Sequence, residues 1–229
     1  HDLAGLRQML ANRLTELSVA AHAGQVMTTL GATHALDIVS RTLLKAGDPV
    51  MVEEPGWSVE FARLDALGMR VLPVPRGPDG PDLAVMARYC EVHAPRLYVS
   101  VSVLHNPTGY CLSPASAHQV LQLAQKHDFH IVEDDSYSHL APDHATRLCA
   151  LDGLRRTVYV GGFAKILAPN WRIGFLAAPP ALTGGTPPSE KRLSHPRRFF
   201  VAGLAQKNAP CNAVLSSCRA QRPCWRWTR

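Results

Sequence analysis

The sequence predicts an α/β fold of three layers, α/β/α, in which a mostly parallel sheet is covered by helices on both faces. Three observations predict it. Short apolar runs at residues 50–53, 97–103, 129–132 and 157–161 have the length and β-branched content of buried strands. Longer segments with helical periodicity separate most of them, so the order alternates β-α-β. Polar residues gather where the runs end, at Glu54-Pro55-Gly56-Trp57, His105-Asn106-Pro107-Thr108-Gly109 and Glu133-Asp134-Asp135-Ser136-Tyr137. In an open parallel sheet, ligands sit at the carboxyl ends of the strands.

In chain order, Leu3, Leu6, Leu10, Leu14 and Leu17 recur at three- and four-residue steps, the stripe of an amphipathic helix over residues 2–17. Val26-Met27-Thr28-Thr29 reads as a short strand closed by Leu30-Gly31, and a helix follows from Ala32 to about Lys45. A glycine followed by a helix start with a hydroxyl is a ready anion site. The first-turn N–H groups lack intrahelical partners, the dipole favours negative charge, and Thr33 adds a side-chain donor. The same pattern also opens many helices that bind nothing. Gly47-Asp48-Pro49 is a turn, 50–53 a buried strand, 58–67 a helix, 70–73 a strand, 75–81 a Pro/Gly loop and 82–93 a helix. Trp57, at a strand's carboxyl end, reads either as a core or lid aromatic or as a ring stacked on a flat ligand.

The run 97–103 is closed by a tight polar turn in which Pro107 removes a backbone donor and Gly109 permits positive φ. The turn is thereby stiffened and aims Asn106 above the sheet. A helix from Ser113-Pro114 to about His127 leads to strand 129–132 and its three carboxylates. Adjacent carboxylates repel, so at least one needs a cationic partner. A metal is the alternative, disfavoured because no His or Cys stands nearby at ligand spacing.

Residues 159–175 carry Lys165 and Arg172, seven apart, in otherwise apolar surroundings, on the turn between a strand at 157–161 and another at 171–178. A lysine amine near a sheet core is costly unless it is paired, neutralised or consumed in a covalent bond such as a Schiff base. A lysine that snorkels from a loop is the plain alternative, and this stretch alone supports both.

The 229 residues suffice for one large α/β domain or two small ones, and a hydrophobic fraction of 46% is ordinary for a globular chain. No apolar run approaches the roughly 20 residues that span a bilayer. The start His1-Asp2-Leu3 has neither Met nor the pattern of a signal peptide, so the expectation is a cytoplasmic protein missing its beginning. The net charge of +6 is unevenly spread. Residues 184–229 hold nine of the 24 Lys and Arg and one of the 18 Asp and Glu, which leaves residues 1–183 with 15 basic against 17 acidic, a net −2. A nucleic-acid surface on the main body is thereby disfavoured. Cys90, Cys111 and Cys149 form no CxxC pair and read as isolated buried thiols. The histidines do not cluster at metal spacing, and His105 alone stands where it could line a pocket.

Taken together, Gly31-Ala32-Thr33, Glu54-Pro55-Gly56-Trp57, Asn106-Pro107-Thr108-Gly109, Asp134 with Tyr137 three later, and Lys165 with Arg172 seven later resemble the fold-type-I pyridoxal-phosphate enzymes of the class I/II aminotransferase group. The resemblance covers residues 2 to 181. It implies the three-layer major domain with a mixed, mostly parallel sheet, pyridoxal 5'-phosphate as cofactor, an amino acid or amine as ligand, and a homodimer. It also implies the site residues. Lys165 is the internal aldimine lysine, Asp134 the partner of the pyridine nitrogen, and Asn106 and Tyr137 donors to the ring hydroxyl oxygen. Trp57 stacks on the ring, while the Ala32 main chain, Thr33 and Arg172 hold the phosphate. No metal is implied.

Within the group, Val158-Tyr159-Val160-Gly161-Gly162-Phe163-Ala164-Lys165 and Glu133-Asp134-Asp135 are most similar to the aminotransferase-like domains of MocR-type regulators. There a GntR-type winged helix precedes the cofactor domain and supplies DNA binding. Such a segment is absent from these residues. That family usually has Ser where Gly162 stands and often another at the place of Ala164, and loss of the first removes one phosphate donor. The expected organisation is a partial major domain over residues 1–182, with the C-terminal small domain missing, and an irregular basic tail over 183–229. As a hypothesis, the shift to Arg, Pro, Cys and Trp after Leu182 marks an out-of-frame or truncated end; a resequenced gene with an unbroken frame through Arg229 would sink it. Three readings follow: the effector-sensing part of a regulator, a free-standing aminotransferase, and a truncated inactive product.

Overall fold

The computed structural model describes residues 3–183. The expected tail at 183–229 therefore lies almost wholly outside the described residues. Strands form where β-branched and aromatic residues alternate between two buried faces: β1 Val26–Thr29, β2 Pro49–Glu54, β3 Arg70–Pro75, β4 Leu97–Ser100, β5 His130–Asp134, β6 Thr157–Gly162 and β7 Gly174–Ala177. They make one sheet in the order β1-β7-β6-β5-β4-β2-β3. The pairs among β6, β5, β4, β2 and β3 are parallel, and β7 runs antiparallel to both of its neighbours. The mostly parallel mixed sheet inferred from the sequence is what the chain forms.

Helices α1 Leu3–Glu16, α2 Ala32–Leu43, α3 Ser58–Ala66, α4 Leu83–His93, α5 Pro114–His127, α6 Leu148–Asp152 and α7 Pro180–Thr183 cover the sheet. On one face Val50, Val52, Leu97, Val99, Val132, Val158, Val160 and Leu176 pack against α2 and α3 through Ala35, Leu36, Val39 and Leu64. On the other face Met51, Tyr98 and Ile131 meet α4 and α5. Tyr159, Phe175 and Val26 meet the Leu10–Leu14 side of α1 on that same face. Successive strand residues point to opposite faces, so the near-continuous apolar runs follow from having helices on both.

The starts of α4 and α5 are set by side-chain caps. The Asp82 carboxylate accepts hydrogen bonds from Ala84 N–H and Val85 N–H at 3.0 Å, so α4 starts after Asp82. Ser113 accepts from Ser116 N–H and Pro114 takes the first helical position of α5, where a missing N–H is harmless.

Two strands are shorter than their apolar runs. The run 97–103 leaves the ladder after Ser100, because Val101 N–H turns to the Glu53 carboxylate and Ser102 O accepts from Leu112 N–H; Val103 stays apolar because it is buried, not because it is a strand. The run 171–178 becomes a strand only at Gly174. Residues Pro169–Trp171 form a 3₁₀ turn, and Arg172 takes the left-handed conformation at φ 52°, which no strand residue adopts. Among the described residues no helix is long and apolar enough to cross a membrane.

Asp82→Ala is expected to lower stability by about 1 kcal/mol, a thermal midpoint lower by roughly 2–4 °C for a chain of this size. Calorimetry on both proteins checks it.

Candidate active site

Because β1 runs parallel to β6, five strands and β1 all direct their carboxyl ends to one edge of the sheet. The residues singled out from the sequence lie along it. At one side of the edge, Thr29 and Gly162 both pair with Gly174. This brings the start of α2 against β7. A Cβ on Gly174 would stand 2.4 Å from the Gly31 carbonyl carbon and 2.8 Å from Ala32 N, closer than real contacts allow. Gly31 itself has φ 83° and gives α2 no capping side chain. No side chain among the described residues caps the first-turn N–H groups of Ala32 and Thr33. Arg172, exposed, donates from Nη2 to Leu30 O at 3.2 Å and lies alongside Gly31. A helix N-terminus with free donors and an adjacent guanidinium is a cradle for a phosphate-sized anion.

At the centre of the edge β5 ends in Glu133-Asp134, and Asp135 follows it. The alternation of the strand sends Glu133 and Asp135 to the α5/α6 side and Asp134 to the α2 side, where Val132 also points. The expected cation is Arg147. This wholly buried guanidinium donates from Nε to Asp135 Oδ2 at 2.6 Å, and Tyr159 OH donates to the same oxygen at 2.9 Å. Burial pushes the Asp135 carboxyl up against the pull of Arg147. Glu133 accepts from Ser102 Oγ and from the N–H groups of Leu148 and Cys149, and burial with the nearby Asp135 charge raises it.

Asp134 is different. Its Oδ1 accepts from Ser136 N–H at 3.1 Å and Ser136 Oγ at 2.6 Å, and it has no ion pair among the described residues. Burial pushes its carboxyl up to about 6 against those hydrogen bonds, and the charges of Glu60 and Asp135 add to the rise. A carboxyl in that position is poised to receive a cation.

Three residues on, Tyr137 presents its ring to Lys165, whose Nζ stands 5.3 Å from the ring centroid. Lys165 is exposed on the turn after β6, the place the sequence gives it among its apolar neighbours. Those neighbours, Ile166, Leu167 and Trp171, are exposed too.

Asn106 and Trp57 sit on the loops after β4 and β2 at the same edge. Trp57 is 37% exposed, which removes the core-aromatic reading. The Asn106 side chain makes no hydrogen bond among the described residues. The structure thus joins Lys165 with Tyr137, and Arg172 with Gly31, while Thr33, Trp57 and Asn106 share the edge without direct contact to Lys165. Sequence reasoning missed Gly174 and Arg147, and it offered His105 only as a residue that could line a pocket. His105 is buried beneath the turn, facing Glu53. Of the three thiols, Cys90 and Cys149 are buried as expected, but Cys111 is exposed on the loop before α5. No group of metal-ligating side chains occurs among the described residues.

The sequence profile of the family described as Aminotransferase class I and II matches residues 2–211. The chain belongs to that family. The match runs past Leu182, where the composition changes. A 2-aminoadipate transaminase of Thermus thermophilus is 33% identical over 162 residues, covering 68% of this chain and 41% of the relative. A probable rhizopine catabolism regulatory protein, MocR, of Rhizobium meliloti is 34% identical over 184 residues, covering 79% and 36%. The crystal structure of LysN, the α-aminoadipate aminotransferase of Thermus thermophilus in complex with N-(5'-phosphopyridoxyl)-L-leucine, superposes with a TM-score of 0.70 at 29% identity, over 77% of this chain and 46% of that one. The chain spans about two fifths of the length of the curated relatives it matches. Family membership implies pyridoxal phosphate as the cofactor.

Asp134 supplies a test that needs no ligand. Its folded value near 6 lies above the ordinary 3.8, so the stability of the protonated form is fully present below about pH 4 and is lost as pH rises through 6. Asp134→Asn is expected to remove that loss and to stabilise the cofactor-free chain at about pH 7.5 by about 1–3 kcal/mol. Thermal midpoints of both proteins at about pH 4 and about pH 7.5 measure it; equal slopes with pH would refute the burial account.

Proposed function

We propose that this chain is the cofactor-binding part of a MocR/GntR-type regulator that senses an amino acid or amine through pyridoxal phosphate. The observation that carries the cofactor reading is the place of Asp134, on the edge that also bears Lys165 and the α2 cradle, its carboxyl pushed up by burial to about 6 and without a cationic partner among the described residues. The residues fit the group. In this reading the N–H of Ala32, the Thr33 hydroxyl and the Arg172 guanidinium bind the phosphate. Trp57 packs on the ring, and Asn106 and Tyr137 donate to its hydroxyl oxygen. Asp134 holds the proton on the ring nitrogen, and Lys165 Nζ is the point of covalent attachment.

When bound, the cofactor supplies an electron sink for negative charge at the α-carbon of an amino acid joined to it. Asp134 sustains that sink, because an ionised carboxylate favours the protonated ring nitrogen. The same ion pair offsets the burial that otherwise disfavours its charge. Lys165 Nζ would be the base able to take a proton from the α-carbon. Tyr137, with Nζ over its ring, orients that amine. The exposed apolar side chains Ile166, Leu167 and Trp171 beside Lys165 accord with a site that a second copy of the chain completes.

The regulator reading draws support from the similarity to MocR and to a helix-turn-helix-type regulator of Bacillus subtilis, 27% identical over 176 residues. The second reading, a free-standing cytoplasmic aminotransferase acting between an amino acid and a 2-oxo acid, draws support from the comparable identity to the 2-aminoadipate transaminase. A gene that encodes a winged helix ahead of His1 favours the first. Sustained amino-group transfer by the purified protein favours the second.

Purified protein mixed with pyridoxal phosphate is expected to develop a visible absorbance band that borohydride traps as a covalent adduct, and Lys165→Ala should abolish both. A wild-type chain without the band would refute the cofactor reading. Gly162 offers a gain-of-affinity test. A Cβ there meets only ordinary contacts, 3.4 Å to Ile173 O and 3.7 Å to Ala32 N, so a serine hydroxyl fits beside the cradle. Gly162→Ser is expected to tighten cofactor binding about tenfold, the worth of one charge-assisted hydrogen bond, as read by spectroscopic titration.

A further inference from the structure

Beneath the turn that carries Asn106 lies a cluster of buried polar groups that the cofactor reading does not use. Glu53, at the end of β2 and 4% exposed, is its hub. Its Oε1 accepts from Tyr98 OH at 2.7 Å and from Ser100 Oγ at 3.3 Å, and its Oε2 accepts from Val101 N–H at 3.0 Å. Arg76, its side chain fully buried, brings Nε to 3.4 Å from Oε1 and compensates the charge. His105, 1% exposed, brings Nε2 to 3.2 Å from Oε2. The other ring nitrogen, Nδ1, is 2.8 Å from Thr108 Oγ1. With a carboxylate facing Nε2, the proton belongs on Nε2, and Nδ1 accepts from the Thr108 hydroxyl. The Thr108 oxygen in turn accepts from Tyr110 N–H at 3.4 Å. The main chain of His105 closes the turn from both sides: its N–H donates to Tyr110 O at 2.8 Å, and its carbonyl accepts from Gly109 N–H at 2.6 Å.

We infer that His105 is a positioning residue for Asn106, holding the 105–110 turn to the buried Glu53 carboxylate so that the Asn106 amide is presented at the sheet edge without bonds of its own. The Asn106 side chain has no hydrogen bond among the described residues to fix it, so its placement depends on the residue before it. The Thr108 contact at Nδ1 and the closeness of Nε2 to the carboxylate hold the buried imidazole in one orientation, and that orientation sets the start of the turn. Arg76 matters through the same hub. Its Nε and Nη2 and the Nε2 of His105 are buried without a hydrogen bond of good geometry among the described residues, so Arg76 holds Glu53 by charge and His105 holds it by proximity.

The consequence for function rests on the cofactor reading, but the positioning itself can be measured without cofactor. Amide hydrogen exchange at Gly109, whose N–H donates to the His105 carbonyl, should accelerate about tenfold or more in the cofactor-free chain in His105→Leu and in Thr108→Val, while core amides of β4 and β5 keep their protection. The valine removes the hydroxyl without touching the buried carboxylate, so it decides the matter if the leucine variant fails to fold. Unchanged exchange at the turn in the folded variants overturns the inference. With pyridoxal phosphate added, Thr108→Val and Asn106→Ala should each weaken binding about fivefold, and the double variant should be no weaker than Asn106→Ala alone. Additive losses would show that the pair acts apart from Asn106 and would also overturn it. A wild-type chain that binds no cofactor removes the cofactor reading, while the exchange result still decides the role of His105.

Discussion

The close approach of β7 to the start of α2 is the constraint on which the rest of the site depends. Gly174 has no room for a Cβ, since Gly31 and Ala32 main-chain atoms occupy the space within 3 Å. That contact lets an antiparallel strand stand between β1 and β6 and still leaves the α2 N-terminus at the edge where the parallel strands end. A larger residue would push the helix off the sheet by a methyl's width, and packed interiors yield little to such a change. The cradle at Gly31, the reach of Arg172 and the position of the Lys165 turn all follow from the same contact.

Three carboxylates on the far side of the edge residues serve support. Glu53, Glu133 and Asp135 are buried among donors: Glu53 has Tyr98, Ser100, the Val101 N–H and Arg76; Glu133 has Ser102 and the N–H groups of Leu148 and Cys149; Asp135 has Tyr159 and Arg147. Burying a charge is expensive unless it is compensated, and truncating one partner leaves the other stranded. Such groups lock the strand ends from behind. Asp134, by contrast, faces the other way, and both it and Asn106 are left with bonding capacity to spare among the described residues. Rigid support on one side with unsatisfied groups on the other is the arrangement a preorganised ligand site requires.

Membership of the class I and II aminotransferase family accounts for both the fold and the cofactor, and it leaves two uses of the same site open to natural variation. A catalyst and a sensor both need the lysine, the carboxylate and the anion cradle. They differ in what surrounds the bound amine and in what else the polypeptide carries.

Much of this was written in local sequence. Element order, the strand-end clusters and the spacing from Lys165 to Arg172 are short-range features, and hydrophobic periodicity with glycine and proline punctuation reports them directly. The sequence by itself therefore determined the layers, the mostly parallel sheet and the identity of the edge residues. It misled where apolar character has a cause other than pairing, as at 101–103 and 171–173, and at Cys111, whose exposure no neighbour announces. Tertiary structure alone decided which residues meet across the chain: Arg147 with Asp135, His105 with Glu53, Gly174 with Gly31. Those contacts join residues from 12 to 143 positions apart, where no periodicity can speak and only the closing of the sheet brings the partners together.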